Sequence, residues 1–223
     1  MANVRLQDLT AIIHNTSRYN GGKFDMVHVE NLIQTDTAVD PNLNWYVPAG
    51  VTPNPIASEL FKSANLSMYP RTEAELLNGT QDMVQEAETG KVADLTDDFA
   101  KLMMLCTLKK MSLTPVADCP NLYCLSYDYK LFPDPTTPTN FKFSVELPFK
   151  GLNIASNGGV VQLTALMPIG SQIDVNTTKG TAPNNPNIQE QIVTIPSINR
   201  KTVTFRYQID PLFDIVYHYW LTS

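Results

Sequence analysis

The sequence is short of charge. Asp, Glu, Lys and Arg make up 17% of its 223 residues, against roughly 25% in an average soluble protein. Cysteine and histidine are scarce as well, at three each. No apolar run approaches the roughly 18–20 residues that cross a bilayer, so no membrane partner is expected. A chain disordered by composition combines few core-formers with high charge; here 43% of residues are hydrophobic, which predicts a folded protein. Nucleic-acid binding needs a basic groove or stripe. Lys109–Lys110 and Arg200–Lys201 are isolated pairs, so no nucleic-acid partner is expected either. Residues 1–15 lack a basic start followed by an apolar stretch and a small-residue cleavage site, and no signal peptide is expected.

The charge that is present is unevenly placed. Residues 71–100 hold Glu73, Glu75, Asp82, Glu86, Glu88, Asp94, Asp97 and Asp98 against Arg71 and Lys91. Two basic minus eight acidic residues give -6, the formal net charge of the whole chain. The other residues balance, with 14 basic and 14 acidic groups. The acidic window reads as a solvated helical face. Residues 150–223 carry five basic and four acidic groups; Asn, Thr and Pro fill the space, and such a surface suits packing against other protein.

Three segments follow in order. Residues 1–55 read as an extended arm with one short strand at Asp25, Met26, Val27, His28 and Val29, amid the turn signals of Gly21–Gly22 and Asp40–Pro41. Residues 56–112 form a helical segment: a short helix over 56–67 and an acidic, helix-compatible stretch to 89. A clear helix then runs from Asp94 or Thr96 to Met111, with Asp97 and Asp98 at its positive pole and Lys109 and Lys110 at the other. Leu95, Phe99, Leu102, Met103 and Cys106 recur at helical spacing and predict one buried stripe. From residue 113 to 223 the period becomes two, with strands expected over 121–127, 141–147, 160–167, 171–175, 191–195, 202–208 and 213–221. Residues 176–187 read as a long neutral loop and 136–140 as a shorter one. The expected fold class is α+β, mainly β: an antiparallel sandwich or barrel with an extended arm and a short helical segment, residues 56–223 sharing one core.

The residues that carry chemistry form no recognised constellation. Cys106 reads as a buried small hydrophobe. Cys119 and Cys124 have neither redox nor zinc spacing, and reduced thiols are expected. His14, His28 and His218 are scattered, without the i, i+3 or i+4 pattern of a helix-borne metal site. Asp174, Asn176 and Thr178 begin like a calcium loop, but Lys179 stands where the turn needs Gly. Asp97 and Asp98 are neighbours on a helix, so their carboxylates diverge by about 100°. No phosphate cradle or nucleophile elbow occurs. Asn15, Asn65, Asn78 and Asn176 each head an Asn-x-Ser/Thr triplet, about as many as chance supplies from 18 Asn, and they receive no role. No catalytic, cofactor-binding or metal-binding residue is therefore named, and no cofactor is expected.

The whole chain, an extended polar arm, a modest helical segment and a charge-poor Asn/Thr/Pro-rich β domain with an aromatic final strand, resembles in style the virion structural proteins of tailed bacteriophages. The resemblance rests on no diagnostic motif. It implies a non-enzymatic subunit (minor capsid, decoration, neck or tail component) that assembles in the host cytoplasm, with itself and other virion proteins as partners. Two other readings compete. A carbohydrate- or ligand-binding β module would use Trp45, Trp220 and the nine tyrosines as stacking surfaces. An enzyme would need His28 or His218 to meet Asp210 or Asp214 in a pocket.

Overall fold

Alternating apolar and polar residues build nearly half of this chain into strands. The computed structural model describes residues 2–219 apart from 52, 54, 65, 67, 68, 183, 184 and 189, and only the backbone of 55, 62 and 185–188. The first elements are β1 (Asn3–His14), β2 (Asp25–Thr35) and β3 (Asn44–Pro48). A helical layer follows: α1 (Pro55–Ser63), β4 (Arg71–Thr72), α2 (Glu73–Leu76), α3 (Met83–Glu88) and α4 (Val92–Leu105). Then come β5 (Leu108–Ser112), β6 (Thr114–Pro115), β7 (Leu122–Leu131) and β8 (Pro133–Asp134). β9 (Thr137–Glu146), β10 (Asn153–Ile154), β11 (Val160–Leu166) and β12 (Gln172–Ile173) continue the chain. β13 (Lys179–Ala182), β14 (Asn185–Ile188), β15 (Gln191–Ile195), β16 (Arg200–Tyr207) and β17 (Leu212–His218) complete it.

The strands make an eight-stranded sheet, β15-β16-β11-β1-β2-β7-β6 with β10 beside β1, and a six-stranded sheet, β14-β13-β17-β9-β8 with β12 beside β17. The two share one apolar core that includes Leu9, Ile13, Val29, Phe143 and Ile215. Phe205 of the first sheet meets Phe213 of the second at 4.6 Å between ring centroids. The fold is α+β and mainly β, sandwich-like, with no closed barrel.

Four expectations are corrected. Residues 1–55 are not an arm. β1 lies between β11 and β2 in the middle of the larger sheet, and its Val4, Leu9, Ala11 and Ile13 are fully buried. Of the turn signals that suggested irregular chain, Gly21–Gly22 belongs to the β1–β2 connection and Asp40–Pro41 to the β2–β3 connection; Gly21 and Gly22 take φ of 72° and 79°, a conformation glycine adopts without steric cost. The sheet is also not purely antiparallel: β1 runs parallel to β11, Leu6 opposite Val160 through Ile12 opposite Leu166.

The main helix starts at Val92 and stops at Leu105, and residues 108–112 continue as strand β5 beside β3. Neither Asp94 nor Thr96 caps it; the cap position is Lys91 and makes no side-chain cap bond. Its expected buried stripe is largely exposed. Phe99 is 48% and Leu102 36% exposed and Cys106 is exposed, while Ala100 and Met104 are the core residues. Lastly, residues 176–187 are not one loop: β13 pairs with β17, and β14 with β13. Residues 136–140 run into β9, with 136–138 exposed.

The helical layer has its own small core, in which Ala57, Phe61, Leu76, Ala100, Met104 and Leu108 pack together. β3 joins it to the sandwich. Its alternation sends Trp45 and Val47 into the large core and Tyr46 toward the helices. Trp45 is fully buried, and its indole N–H donates to the Lys150 carbonyl at 2.9 Å.

Candidate functional site

Five places combine unusual chemistry with position. The first is the end of the sandwich where β2 meets β17. Asp25 opens β2 and is fully buried. Its Oδ1 accepts the Ser17 backbone N–H at 2.9 Å, and its Oδ2 accepts the hydroxyls of Tyr217 and Tyr219, each at 2.8 Å. Burial, then the Asp25 charge, pushes both phenols well above their usual range, so they stay protonated donors. Phe141 stacks on Tyr217 and meets Tyr219 edge-on.

Beside this cluster is a cavity of about 530 Å³ whose lining includes Asn15, Arg18, Gln172, Asn199, Phe141 and Tyr219. The Asn15 amide N–H₂ donates to the Ile169 carbonyl at 3.0 Å, while its Oδ1 is buried and meets no partner among the described residues. Amide-lined cavities of this size can read hydroxyl groups.

A second, shallower cavity of about 640 Å³ lies along β9 and β17. Asp214 there accepts from Ser144 Oγ at 2.6 Å and pairs with Lys142 at 2.9 Å. Asp174 accepts the Asn176 backbone N–H at 2.9 Å, and bonds from Thr177 and Asn176 hold its carboxyl below the usual range. This is the calcium-like segment; the Asp174 carboxylate is used within the turn, and Thr178 Oγ1 accepts the Val216 backbone N–H of β17 at 3.1 Å. Among the described residues no three His, Cys, Asp or Glu side chains gather as a metal site.

The third place is the seam between the helical layer and the sandwich. Arg71 pairs with Glu75 at 2.9 Å and covers the Tyr69 ring at 4.1 Å. Lys150 pairs with Glu146. Burial raises the carboxyls of both Glu75 and Asp210; Arg71 and then Lys150 pull the first back, and Lys150 the second. Opposed charges at a packed boundary locate the helical layer on the sheets, and no cavity opens beside them among those described above.

The histidines stay apart. His28, on the outer face of the large sheet, places Nδ1 2.8 Å from Asp128 Oδ1 and Nε2 3.4 Å from Glu30 Oε1. The Asp128 bond raises its pKa despite partial desolvation. His218 sits in β17 opposite Gln172 and Asn140. His28 thus bonds Asp128 and Glu30 rather than Asp210 or Asp214, and His218 stands four residues along β17 from Asp214. Of the two tryptophans offered as stacking surfaces, Trp45 is enclosed and Trp220 lies outside the described residues, as do Asn65 and Leu221. The three cysteines are free thiols; Cys106 and Cys119 are exposed, contrary to the buried position expected of Cys106.

The last two places are surfaces. On α4 the stripe of Val92, Leu95, Phe99, Leu102 and Cys106 faces outward. At one edge of the large sheet β15, with the sequence Gln-Ile-Val-Thr-Ile, exposes Val193 at 60%. Neither surface was legible as such beforehand, because exposure depends on which neighbour takes the other face. No helix of the described residues is long and apolar enough to cross a membrane. Comparison with protein-family models and with curated proteins yields no match.

Proposed function

We propose that the chain is a non-enzymatic structural subunit of a viral particle, a minor capsid, decoration or neck/tail component that works by self-assembly and by docking on other virion proteins. The virion part of this reading rests on the resemblance of style and composition. The docking part is carried by one observation, the unprotected edge strand β15. Open edges template pairing with further strands, and proteins commonly blunt them with proline, charge or brevity. The other edges of the two large sheets carry such devices: β6 contains Pro115, β8 contains Pro133 and β14 contains Pro186. β15 has five residues, no charge and no proline, and its outer side meets no strand among the described residues. A strand from a second copy would extend the sheet there, with Val193 at the seam. On this reading the chain resides in the virion and is assembled in the host cytoplasm.

Sedimentation velocity of the purified chain from micromolar to millimolar concentration, with electron microscopy of the product, tests it. The expected result is concentration-dependent, symmetric association that Val193→Lys abolishes while leaving the melting temperature unchanged. A chain that stays monomeric throughout, or a V193K variant that assembles like its parent, sinks the self-assembly reading.

The amide-lined cavity favours a second reading, a module that binds a small hydroxylated ligand. Saturable binding on a glycan array, lost on Asn199→Ala, would support it over the first.

A further inference from the structure

The outward stripe of α4 has the spacing of a helix-docking seam. Val92, Leu95, Phe99, Leu102 and Cys106 follow one another at intervals of three, four, three and four residues. At about 100° per residue they fall within an arc of about 80°. Ala100 and Met104, which reach the small core, lie on another side of the same helix. α4 thus has two apolar faces, and among the described residues only one of them is covered. Val92 is 70%, Phe99 48% and Leu102 36% exposed, Cys106 is exposed and Leu95 half-buried. A three-four repeat is the pattern that a second helix fills.

Charge identifies the occupant. Asp94, which is exposed, borders the stripe on its Leu102 side about 80° away from that residue, whereas Asp98 between them is 5% exposed and held by Lys101. The Glu86 carboxyl of α3 is raised by lost solvation and by the charges of Asp98 and Asp94, with Lys91 only partly offsetting them. Its Oε2 is buried and has no hydrogen-bond partner among the described residues, so it marks uncompensated negative charge beneath the surface. The nearest cation on α4, Lys101, is already engaged by Asp98 Oδ1 at 2.6 Å and the Asn78 carbonyl at 2.7 Å. A second copy would bring two segments of -6 together, and like charges across an interface oppose association.

We infer that the exposed face of α4 docks an amphipathic helix of another protein, whose apolar face fills the Val92–Cys106 stripe and whose flanking lysines or arginines meet Asp94 and the surplus negative charge of residues 71–100. This inference is independent of the virion reading and of strand β15, so either can fail without the other.

The two exposed thiols supply a test in the unaltered chain, because Cys106 lies in the stripe and Cys119 lies outside it. The probe is a synthetic helical peptide with leucines at three-four spacing and lysines beside them. Controls are the same peptide with glutamate for lysine, and a scrambled peptide of identical composition. Alkylation of each cysteine is followed by mass spectrometry. With peptide at about ten times its Kd, the Cys106 rate should fall about tenfold and the Cys119 rate should not change. Added salt should weaken the protection. Phe99→Glu combined with Leu102→Glu should remove it with the circular dichroism and melting temperature retained. Absence of protection, equal protection by the glutamate or scrambled peptide, or retained protection in the folded double variant overturns the inference. Protection of Cys106 that grows with protein concentration alone would make a second copy the occupant and overturns it too.

Discussion

Asn31 is 2% exposed, between Leu9 and Leu125 in the ladder, and neither its Nδ2 nor its Oδ1 has a partner among the described residues. Nearby Gln7 is equally buried but at least accepts the Phe149 N–H at 3.2 Å. An unpaired buried amide costs about 1–3 kcal/mol, and an apolar side chain of similar volume relieves that cost. Asn31→Leu should therefore stabilise the fold by about 1–2 kcal/mol in urea unfolding. A loss of stability instead would mean that an internal water serves the amide. Asp25 is the opposite case, since its carboxylate collects three donors. Asp25→Ala strands the buried Tyr217 hydroxyl, the half-buried Tyr219 hydroxyl and a backbone N–H, and should cost at least about 3 kcal/mol. His28 adds a pH-dependent contribution. Its folded pKa is raised above the ordinary value, chiefly by the Asp128 bond. The stabilisation is thus full below about pH 6.5 and fades as pH rises through the raised folded value. The pair is solvent-accessible, so the effect should stay under about 1 kcal/mol. Asp128→Asn should flatten the stability–pH curve in that interval; an unchanged curve would show that the pair contributes nothing to folding.

At the scale of elements, what could be read in advance depended on whether a local pattern has one structural solution. The alternation of β11, β15, β16 and β17 has one, and those strands lie where period two predicts them. The β2 segment was legible only at its start, because the polar Glu30, Asn31 and Gln34 obscure a strand that runs on to Thr35. β1 was missed for a related reason: Gln7, Asp8 and Thr10 interrupt its apolar set, though Leu9, Ala11 and Ile13 still alternate. The β1–β11 parallel pairing joins residues some 150 apart and leaves no local trace. The cluster at Asp25 was hidden likewise, since Ser17, Asp25, Tyr217 and Tyr219 meet only through tertiary structure. For α4 the period was right and the face was wrong. Small Ala100 and flexible Met104 let α1 approach closely, while the bulkier stripe stays outside. This gives a sharp contrast between two substitutions. Met104→Ala should cost about 2–4 kcal/mol through the cavity it leaves. Phe99→Ser should change stability by no more than about 0.5 kcal/mol, as exposed positions do. If Phe99→Ser proved the more damaging of the two, the face assignment would be reversed.

On the scale of the whole molecule, two cores of unequal size are joined through β3 and carry unequal charge. The sandwich core spans both large sheets, whereas the helical layer rests on six buried apolar side chains among the described residues and contains the segment 71–100 with its net -6. Elements with few buried contacts open at lower free energy than the main core, and self-repulsion of like charge adds to the tendency. Burial first, and then the charges of Asp98, Asp94 and Asp82 against the partial offset of Lys91, raise the Glu86 carboxyl. The helical layer should therefore exchange its amide hydrogens by a sub-global opening while β1, β2 and β11 exchange only on global unfolding. Raising ionic strength to about 0.3 M shortens the Debye length to roughly 5–6 Å. Protection over α1, α3 and α4 should rise under that change, and protection in the sheets should move little. Trp45 sets the limit of the opening, because its indole is anchored to Lys150 and packed on Phe149 inside the large core. β3 should accordingly keep the protection of the sandwich when the helices lose theirs. If salt protects sheet and helices alike, or if β3 exchanges with the helices, the acidic layer is not a separate cooperative unit, and the charge asymmetry has no mechanical consequence.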